Sequence, residues 1–195
     1  MITYLFLAIF ICLMGYMVYF QTVKSEDFIN SPYNSRQDTF ADRVVRGKIM
    51  SADGKVLAET VVDAAGNETR KYPYGNMYAH VVGFSTNGKS GIESNMNFNL
   101  LRSHSFVLER MFNEIKDEKS MGDNVVTTLD STLQETAYQA LGNYDGAVVV
   151  MEPSTGKVLA MVSKPDFDPN TIAADWDSII SEDNNNSVLL NRATQ

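Results

Sequence analysis

The first 23 residues carry no charged side chain, and this constrains the chain more than any other feature. Residues 2–20 are almost continuously apolar or aromatic. As a helix they would be about 28 Å long, close to the thickness of the hydrocarbon core of a bilayer. Tyr4, Tyr16 and Tyr19 lie towards the two ends, where amphipathic rings prefer the membrane interface. We predict one membrane-spanning helix over residues 1–23; the alternative is a buried helix of a globular protein.

The end of the apolar segment favours a retained anchor over a cleaved signal peptide. A signal peptide has a basic start, a shorter apolar stretch and a small-x-small exit, but this segment ends in Val-Tyr-Phe-Gln-Thr-Val. Cys12 follows Ile11, not the small residue that a lipoprotein signal needs. The nearest positive charges, Lys24 and Arg36, follow the segment, so the positive-inside rule alone would place the remainder in the cytoplasm.

Composition excludes several classes of protein. The net charge of -8 and the absence of a basic stripe argue against a nucleic-acid partner. Cys12 is the single cysteine and cannot form an internal disulfide, and His80 and His104 alone cannot supply a zinc site. We predict no metal and no cofactor. The length allows one or two small domains, at roughly 100–200 residues each.

The polar residues 24–43 are typical of a juxtamembrane linker, and short β-prone runs follow them. Pairs of runs around turn dipeptides predict two hairpins. The first joins Val44–Met50 to Lys55–Val62 around Asp53-Gly54, and the second joins Thr60–Ala64 to Thr69–Tyr74 around Gly66-Asn67. Tyr78–Phe84 is a further short apolar run that we interpret as strand-like.

Helical patterns appear later in the chain. Val107, Met111 and Ile115 share one face of a predicted helix over Phe106–Lys119. A second helix begins at Ser131, which with Gln134 fits a capping box. The remaining predictions are a hairpin of Gly146–Met151 and Lys157–Ser163 around the turn Glu152–Gly156, and a short helix over Ile172–Ile180. Strands followed by helices predict the α+β class.

Gly83-Phe-Ser-Thr-Asn-Gly-Lys89-Ser90 matches the phosphate-binding loop pattern G-x-x-x-x-G-K-[ST]. Such a loop opens a long helix, but here Gly91 follows at once and asparagines crowd the next turn. The chain also lacks the βαβ alternation of a parallel sheet. We therefore interpret the segment as a glycine-rich β-loop and keep nucleotide binding as a minor alternative.

Ser154-Thr-Gly-Lys157 matches the S-x-x-K of serine acyltransferases, with Ser85-Thr-Asn87 and Lys89-Ser-Gly91 resembling their other two motifs. A serine nucleophile and its lysine must share one helical face, a turn apart. Ser154 lies instead in a predicted turn between two strands, so we interpret Ser154 and Lys157 as turn residues. Asp166 and Asp168 flank Phe167 in a Pro-bounded loop, which predicts solvated carboxylates.

Several segments in order resemble the class B penicillin-binding proteins, most closely the penicillin-binding protein A type. They cover nearly the whole chain: Asn30–Arg36, Arg46–Ile49, Ala52–Ala58, Tyr72-Pro73, Ala79–Phe84, Gly88–Glu93, Thr128–Asp130, Leu133-Gln134, Gly146–Ser163 and Phe167–Asn170. The resemblance implies an anchor over residues 1–23, a linker over 24–43, a dimerisation-type pedestal domain over 44–124 and the start of a transpeptidase domain over 125–195. The match to the phosphate-binding loop then belongs to the pedestal, and the Ser154–Lys157 match belongs to the hairpin turn.

The family pattern continues beyond Asn191-Arg192-Ala193 into the helix that bears the true S-x-x-K, whereas this sequence ends at Gln195. We therefore expect an N-terminal part of such an enzyme, with no catalytic residue of its own and its nucleophile beyond Gln195. The resemblance implies D,D-transpeptidation of peptidoglycan stem peptides through an acyl-serine that β-lactams also form. These ligands would belong to the full-length protein alone.

Since cross-linking occurs outside the plasma membrane, the resemblance implies a single-pass protein with an extracytoplasmic body, held by residues 2–20. Other wall-synthesis proteins are candidate partners of this body. The main alternative is a non-catalytic anchored scaffold of the wall-synthesis machinery, and the less favoured one is the nucleotide binder described above.

Overall fold

The apolar N-terminal stretch is helical throughout. The computed structural model describes residues 2–25, 44–103, 119–181 and 187–194, and the chain divides into two units, Met1–Ser35 and Arg36–Gln195. In the first unit, helix α1 spans Ile2–Tyr19 and continues as a π-helical turn over Phe20–Lys24. Because this helix is long and apolar enough to cross a bilayer, it is a candidate membrane span.

The second unit begins with two short strands that the sequence pattern had joined into one. Strand β1 spans Val44–Val45 and β2 spans Ile49–Met50. Between them, Gly47 passes so close to another segment that a Cβ atom would lie 2.0 Å from the carbonyl oxygen of Asp123. The prediction of one strand over Val44–Met50 is therefore wrong in its middle, where the strand is interrupted at residues 46–48. The Arg46 side chain is buried in this interruption.

Strands β3 (Val56–Val62), β4 (Glu68–Lys71), β5 (Ser120–Met121) and β6 (Val125–Val126) complete the sheets of this region. A four-stranded sheet has the order β4-β3-β2-β6, with β2 antiparallel to β3 and parallel to β6. Strand β1 pairs in parallel with β5. Both predicted hairpins are confirmed, β2–β3 around Asp53-Gly54 and β3–β4 around Gly66-Asn67.

The apolar run Tyr78–Phe84 is helical up to Val82, so its interpretation as a strand is wrong. A 3-10 turn over Gly75–Tyr78 leads into α2 (Ala79–Val82). After a loop come α3 (Gly91–Asn95) and α4 (Asn97–Leu101). Residues 79, 80, 82 and 84 are all buried. A segment buried on nearly every side has no periodicity that distinguishes a helix from a strand.

The later part of the chain contains α5 (Ser131–Leu141), β7 (Gly146–Met151), β8 (Val158–Lys164) and α6 (Ile172–Ile180). Strands β7 and β8 form the predicted antiparallel hairpin. Helix α5 packs on it through a small core of Ala137, Ala160 and Val162. The hairpin and the helix over Ile172–Ile180 are confirmed, and the described residues have the expected α+β composition.

The predicted capping box at the start of α5 is wrong. Asp130 is the N-cap residue, and its Oδ1 accepts a hydrogen bond of 2.9 Å from the Leu133 amide. The predicted cap residue, Ser131, instead donates to Asp53 Oδ2 at 2.5 Å. Its partner in the box, Gln134, is fully buried. Both side chains therefore make tertiary contacts.

Some predictions fall on residues that the structure leaves undescribed. The helix predicted over Phe106–Lys119 lies outside the described residues except at Lys119, and so does His104. Of the predicted linker over residues 24–43, only 24 and 25 are described.

Candidate functional site

A buried polar cluster is built around Glu93, on helix α3. Its carboxylate is fully buried and pairs with two guanidinium groups. Arg46 Nε lies 2.6 Å from Oε2, and Arg70 Nε lies 2.8 Å from Oε1. Arg46 comes from the break between β1 and β2 and Arg70 from strand β4, so this cluster ties three separate segments together. We call Arg46, Arg70 and Glu93 the Glu93 network.

Most remaining donors of the Glu93 network are satisfied nearby. Arg46 also donates to the Glu93 carbonyl at 2.7 Å and to the Asn97 side chain. Arg70 Nη1 donates to the Gly47 carbonyl at 2.7 Å and to Thr60 Oγ1 at 3.0 Å. Arg70 Nη2 is the exception, since it is buried and has no partner in the structure as described. A buried charge needs such bonds, because desolvation otherwise outweighs the attraction within a pair.

Tyr72 closes one side of the Glu93 network. Its hydroxyl lies 3.4 Å from Glu93 Oε1 and 3.3 Å from Ser85 Oγ. Burial, with a smaller contribution from the Glu93 charge, raises the pKa of Tyr72 to about 12. The phenol therefore stays protonated and acts as a donor at neutral pH.

Sequence reasoning did not find this network. Arg46, Arg70, Glu93 and Asn97 lay within segments that the sequence analysis named, but none of them was predicted to be buried or to contact the others. No local pattern marks a charged residue as buried, because burial depends on segments that are distant in the chain.

A second polar cluster joins the hairpin region to the four-stranded sheet. We call it the junction, and its residues are His80, Gln134, Asp166 and Asn170. Asn170 Oδ1 accepts from the Tyr72 amide at 2.9 Å, and Asn170 Nδ2 donates to the Tyr72 carbonyl at 3.0 Å. This side chain therefore pairs with the backbone just after β4 much as a neighbouring strand would. The two residues are 98 positions apart, so the contact links distant parts of the chain.

Asp166 belongs to the junction, which corrects the prediction that it lies in a solvated loop. Its carboxylate accepts from Asn76 Nδ2 at 2.9 Å and from the Tyr138 hydroxyl at 2.7 Å. Burial and the adjacent carboxylate raise the pKa of Tyr138. Asp168 is also half-buried and accepts from the Asn170 amide and side chain. Both carboxylates serve structural hydrogen bonds.

His80 and Gln134 complete the junction. His80 Nε2 lies 3.0 Å from the Pro165 carbonyl, and its ring meets the Phe167 ring edge to face. Burial lowers the pKa of His80, so the ring is neutral at pH 7. Gln134 Nε2 donates to the carbonyls of Met77 and Met161, and its Oε1 accepts from the Met161 amide.

An aromatic cluster lies beside the junction and contacts it through Phe167. The ring centroids of Phe84 and Phe167 are 5.7 Å apart, and those of Phe84 and Trp176 are 6.0 Å apart. Ala79 and Ile172 are buried in the same cluster. Because Trp176 is the only tryptophan of the chain, its fluorescence reports on this contact.

The match to the phosphate-binding loop does not have the geometry of one. The loop closes on itself, with Gly83 so near Ser90 that a Cβ atom would lie 2.0 Å from the Ser90 carbonyl oxygen. The helix that follows, α3, has only five residues. The loop connects two helices, so the interpretation as a β-loop is also wrong.

Ser154 and Lys157 lie in the exposed turn between β7 and β8, as predicted. The Glu152 amide donates to the Lys157 carbonyl at 2.9 Å, and the Gly156 amide donates to the Glu152 carbonyl at 2.8 Å. Ser154 therefore has neither the helical face nor the enclosed surroundings that an activated serine requires. Within the described ranges, no three His, Cys, Asp or Glu side chains converge as metal ligands.

Comparisons with known proteins match the two regions separately. A model of the penicillin-binding protein A dimerisation domain matches residues 46–125, and a model of the penicillin-binding protein transpeptidase domain matches residues 146–195. Peptidoglycan D,D-transpeptidase PbpA of Mycolicibacterium smegmatis is 37% identical over 171 residues, which are 76% of this chain and 33% of the relative. Peptidoglycan D,D-transpeptidase MrdA of Escherichia coli is 31% identical, over 69% of this chain and 26% of the relative.

Solved structures agree with these matches. The imipenem acyl-enzyme complex of penicillin-binding protein A from Mycobacterium tuberculosis has a TM-score of 0.66 and 33% identity, over 78% of this chain and 38% of that chain. The D,D-transpeptidase domain of a peptidoglycan glycosyltransferase from Eggerthella lenta has a TM-score of 0.64 and 36% identity, over 77% and 32%. The chain thus spans about a third of the length of its first relatives. With the dimerisation and transpeptidase matches in this order, at this identity and with this fold, the chain belongs to the penicillin-binding proteins.

Proposed function

We propose that this chain supplies the membrane anchor, the pedestal and the first hairpin of a peptidoglycan D,D-transpeptidase. In this proposal residues 1–23 are the anchor, 24–43 the linker, 44–124 the pedestal and 125–195 the start of the transpeptidase domain. The observation that carries it is the order of the two family matches, joined in one body by the Asn170 junction.

The reaction proposed for the whole protein is acyl transfer. A serine oxygen attacks the carbonyl carbon of the penultimate D-alanine of a stem peptide, and the terminal D-alanine leaves. An amine of a neighbouring stem then attacks the acyl-serine, which frees the serine and forms the cross-link. β-Lactams would acylate the same serine. Because Ser154 lies in an exposed turn, we place the nucleophile beyond Gln195.

The contribution of this chain is therefore structural and not catalytic. The Glu93 network fixes the fold of the pedestal, and the junction holds hairpin β7–β8 on it. We also propose that α1 spans the plasma membrane and that the body is extracytoplasmic, where stem peptides are cross-linked. Other wall-synthesis proteins would contact the pedestal.

A chimera tests this function directly. Residues of Mycolicibacterium smegmatis PbpA that align with this chain are replaced by the matched residues of the chain. We expect the purified chimera to release D-alanine from a stem-peptide substrate. A chimera that folds, inserts into membranes and releases no D-alanine would contradict the proposal. The Ser154→Ala chimera is the matched control, and its release rate should equal that of the parent chimera.

A further inference from the structure

The loop between α2 and α3 contains the only Asn-Gly pair of the chain, Asn87-Gly88. Both residues are exposed. The base of the loop is closed by a hydrogen bond of 3.1 Å from the Ser90 amide to the Phe84 carbonyl. The pair therefore lies at the tip of a closed surface loop, where changes to the backbone are tolerated best.

The backbone of this tip explains why asparagine and glycine occur here. The φ angle is +53° at Asn87 and +107° at Gly88. Glycine adopts positive φ angles without a steric cost, and asparagine tolerates the left-handed region better than most other residues. The conformation of the turn thus favours these two residue types, and their chemical reactivity accompanies them.

No hydrogen bond among the described residues holds the Asn87 side chain or the Gly88 amide. An added Cβ atom at Gly88 would meet no heavy atom within 4 Å beyond its chain neighbours. The Gly88 amide proton is therefore not protected by a protein acceptor, and protons of such amides are readily lost to solvent.

We propose that Asn87 is a site of spontaneous deamidation. The Gly88 nitrogen loses its proton to hydroxide and attacks Cγ of Asn87, which forms a new N–C bond and closes a succinimide ring. The bond from Cγ to the side-chain nitrogen breaks, and this nitrogen leaves as ammonia. Water then opens the ring at either carbonyl and produces aspartate or isoaspartate. Because Gly88 has no Cβ atom, its nitrogen is the least hindered nucleophile that a following residue can offer.

The reaction changes the surface of the molecule without an enzyme. Each event replaces a neutral amide with a carboxylate, and the isoaspartate product also adds one methylene group to the backbone. The modified loop is the one that contacts Tyr72 through Ser85. The reaction needs only water and hydroxide, so the proposal stands or falls independently of the proposed function.

Peptide mass spectrometry of the full chain in non-ionic detergent tests the proposal. Samples are incubated for several days at pH 6 and at pH 8 and then digested, and an unincubated sample gives the background. We expect the peptide that contains Asn87 to gain one mass unit, and tandem spectra to place the gain at this residue. The gain should be faster at pH 8, because the Gly88 nitrogen must first lose a proton. A synthetic peptide of residues 84–90 gives the rate without the fold.

Asn67 is an internal control in the same samples. It also lies in an exposed turn, but Glu68 follows it, and its Nδ2 donates to Asp63 Oδ2 at 2.8 Å. We expect Asn67 to remain unmodified, and Asn87→Gln to abolish the gain at position 87, since glutamine closes such a ring far more slowly. The proposal would be overturned if Asn87 stayed intact after the synthetic peptide had reacted. Equal rates at Asn67 and Asn87, or equal rates at the two pH values, would also overturn it.

Discussion

Glu93 holds two arginines that reach it from distant segments of the chain. The cost of burying three charged groups is large, and their mutual attraction offsets it only while all three are present. Removing the acid would leave two guanidinium groups buried against each other. The contribution of Glu93 to stability is therefore best measured by the loss of unfolding free energy when its charge is removed.

Glu93→Gln keeps the shape of the side chain and removes the charge. We expect it to lower the free energy of unfolding by about 3–5 kcal/mol, the range for breaking a buried ion pair. Urea unfolding of the full chain in detergent, followed by Trp176 fluorescence, measures this. The matched control is Glu59→Gln, which breaks the partly exposed Lys48–Glu59 pair at 2.9 Å and should cost less than about 1 kcal/mol. Equal costs for both variants would show that the Glu93 network is not a stabilising centre.

Helix α5 illustrates how tertiary contacts redirect a local signal. The Ser-x-x-Gln pattern predicts a helix start near the right residue, and the helix does begin at Ser131. However, Asp130 takes the capping role because Ser131 and Gln134 each have a tertiary partner. The strand-like interpretation of Tyr78–Phe84 failed for a related reason, because its burial comes from two different clusters.

Hairpins and amphipathic helices were predictable because their signals are local. Asp53-Gly54, Gly66-Asn67 and the β7–β8 turn each lie between the strands that the sequence predicts. The Glu93 network and the junction were not predictable from one sequence, since their residues are up to 98 positions apart and carry no local pattern. Asp166 was therefore predicted to lie in solvent, because its partners Asn76 and Tyr138 are distant in the chain. The partner of Asp168 is the nearby Asn170, so that contact is local.

The contact between α5 and the β2–β3 turn has a pH signature. Hydrogen bonding from Ser131 and Ser51 lowers the pKa of Asp53 from 3.8 to about 2 in the folded chain. A lowered carboxyl pKa stabilises the fold fully above the unfolded value of the pKa, and this stabilisation is lost as the pH falls towards the folded value. Ser131→Ala should cost about 1 kcal/mol at pH 6, and its cost should shrink as the pH falls from about 4 to about 2. Urea unfolding at both ends of this range measures the change.

Thr136→Ala, on the same helix, is the control for this pH dependence. Its hydroxyl donates to the Thr132 carbonyl at 2.8 Å, and a backbone carbonyl does not titrate, so its effect should be the same at every pH. A Ser131→Ala cost that does not change with pH would contradict the assigned role of Asp53.

On the scale of the whole molecule, the junction joins the dimerisation and transpeptidase matches into one body. Asn170→Ala removes both bonds to the Tyr72 backbone and should destabilise the chain by about 1–3 kcal/mol. The fluorescence of Trp176, which belongs to the adjacent aromatic cluster, should change before the rest of the chain unfolds. Asn67→Ala, in the exposed β3–β4 turn, is the matched control and should have a smaller effect. Loss of stability equal to that of the control would mean that the junction does not couple the two regions.

The proposed orientation is testable with one introduced cysteine. Cys12 lies in the apolar helix, so a maleimide that cannot cross membranes should react with it poorly. Ser154→Cys places a thiol in the exposed β7–β8 turn, and we expect intact cells expressing this variant to be labelled. Labelling only after the cells are opened would place the body in the cytoplasm, as the charges of Lys24 and Arg36 alone suggest. The unchanged chain measures the background.

In the proposed function, this chain builds the body of the enzyme, and a serine beyond Gln195 carries the chemistry. Intact-mass spectrometry after incubation with benzylpenicillin tests this separation in the 195-residue chain and in the chimera with Mycolicibacterium smegmatis PbpA. We predict that the chain keeps its mass and that the chimera gains one covalent penicillin. A penicillin adduct on the chain that disappears in Ser154→Ala, or a folded chimera that takes up no penicillin, would contradict the account.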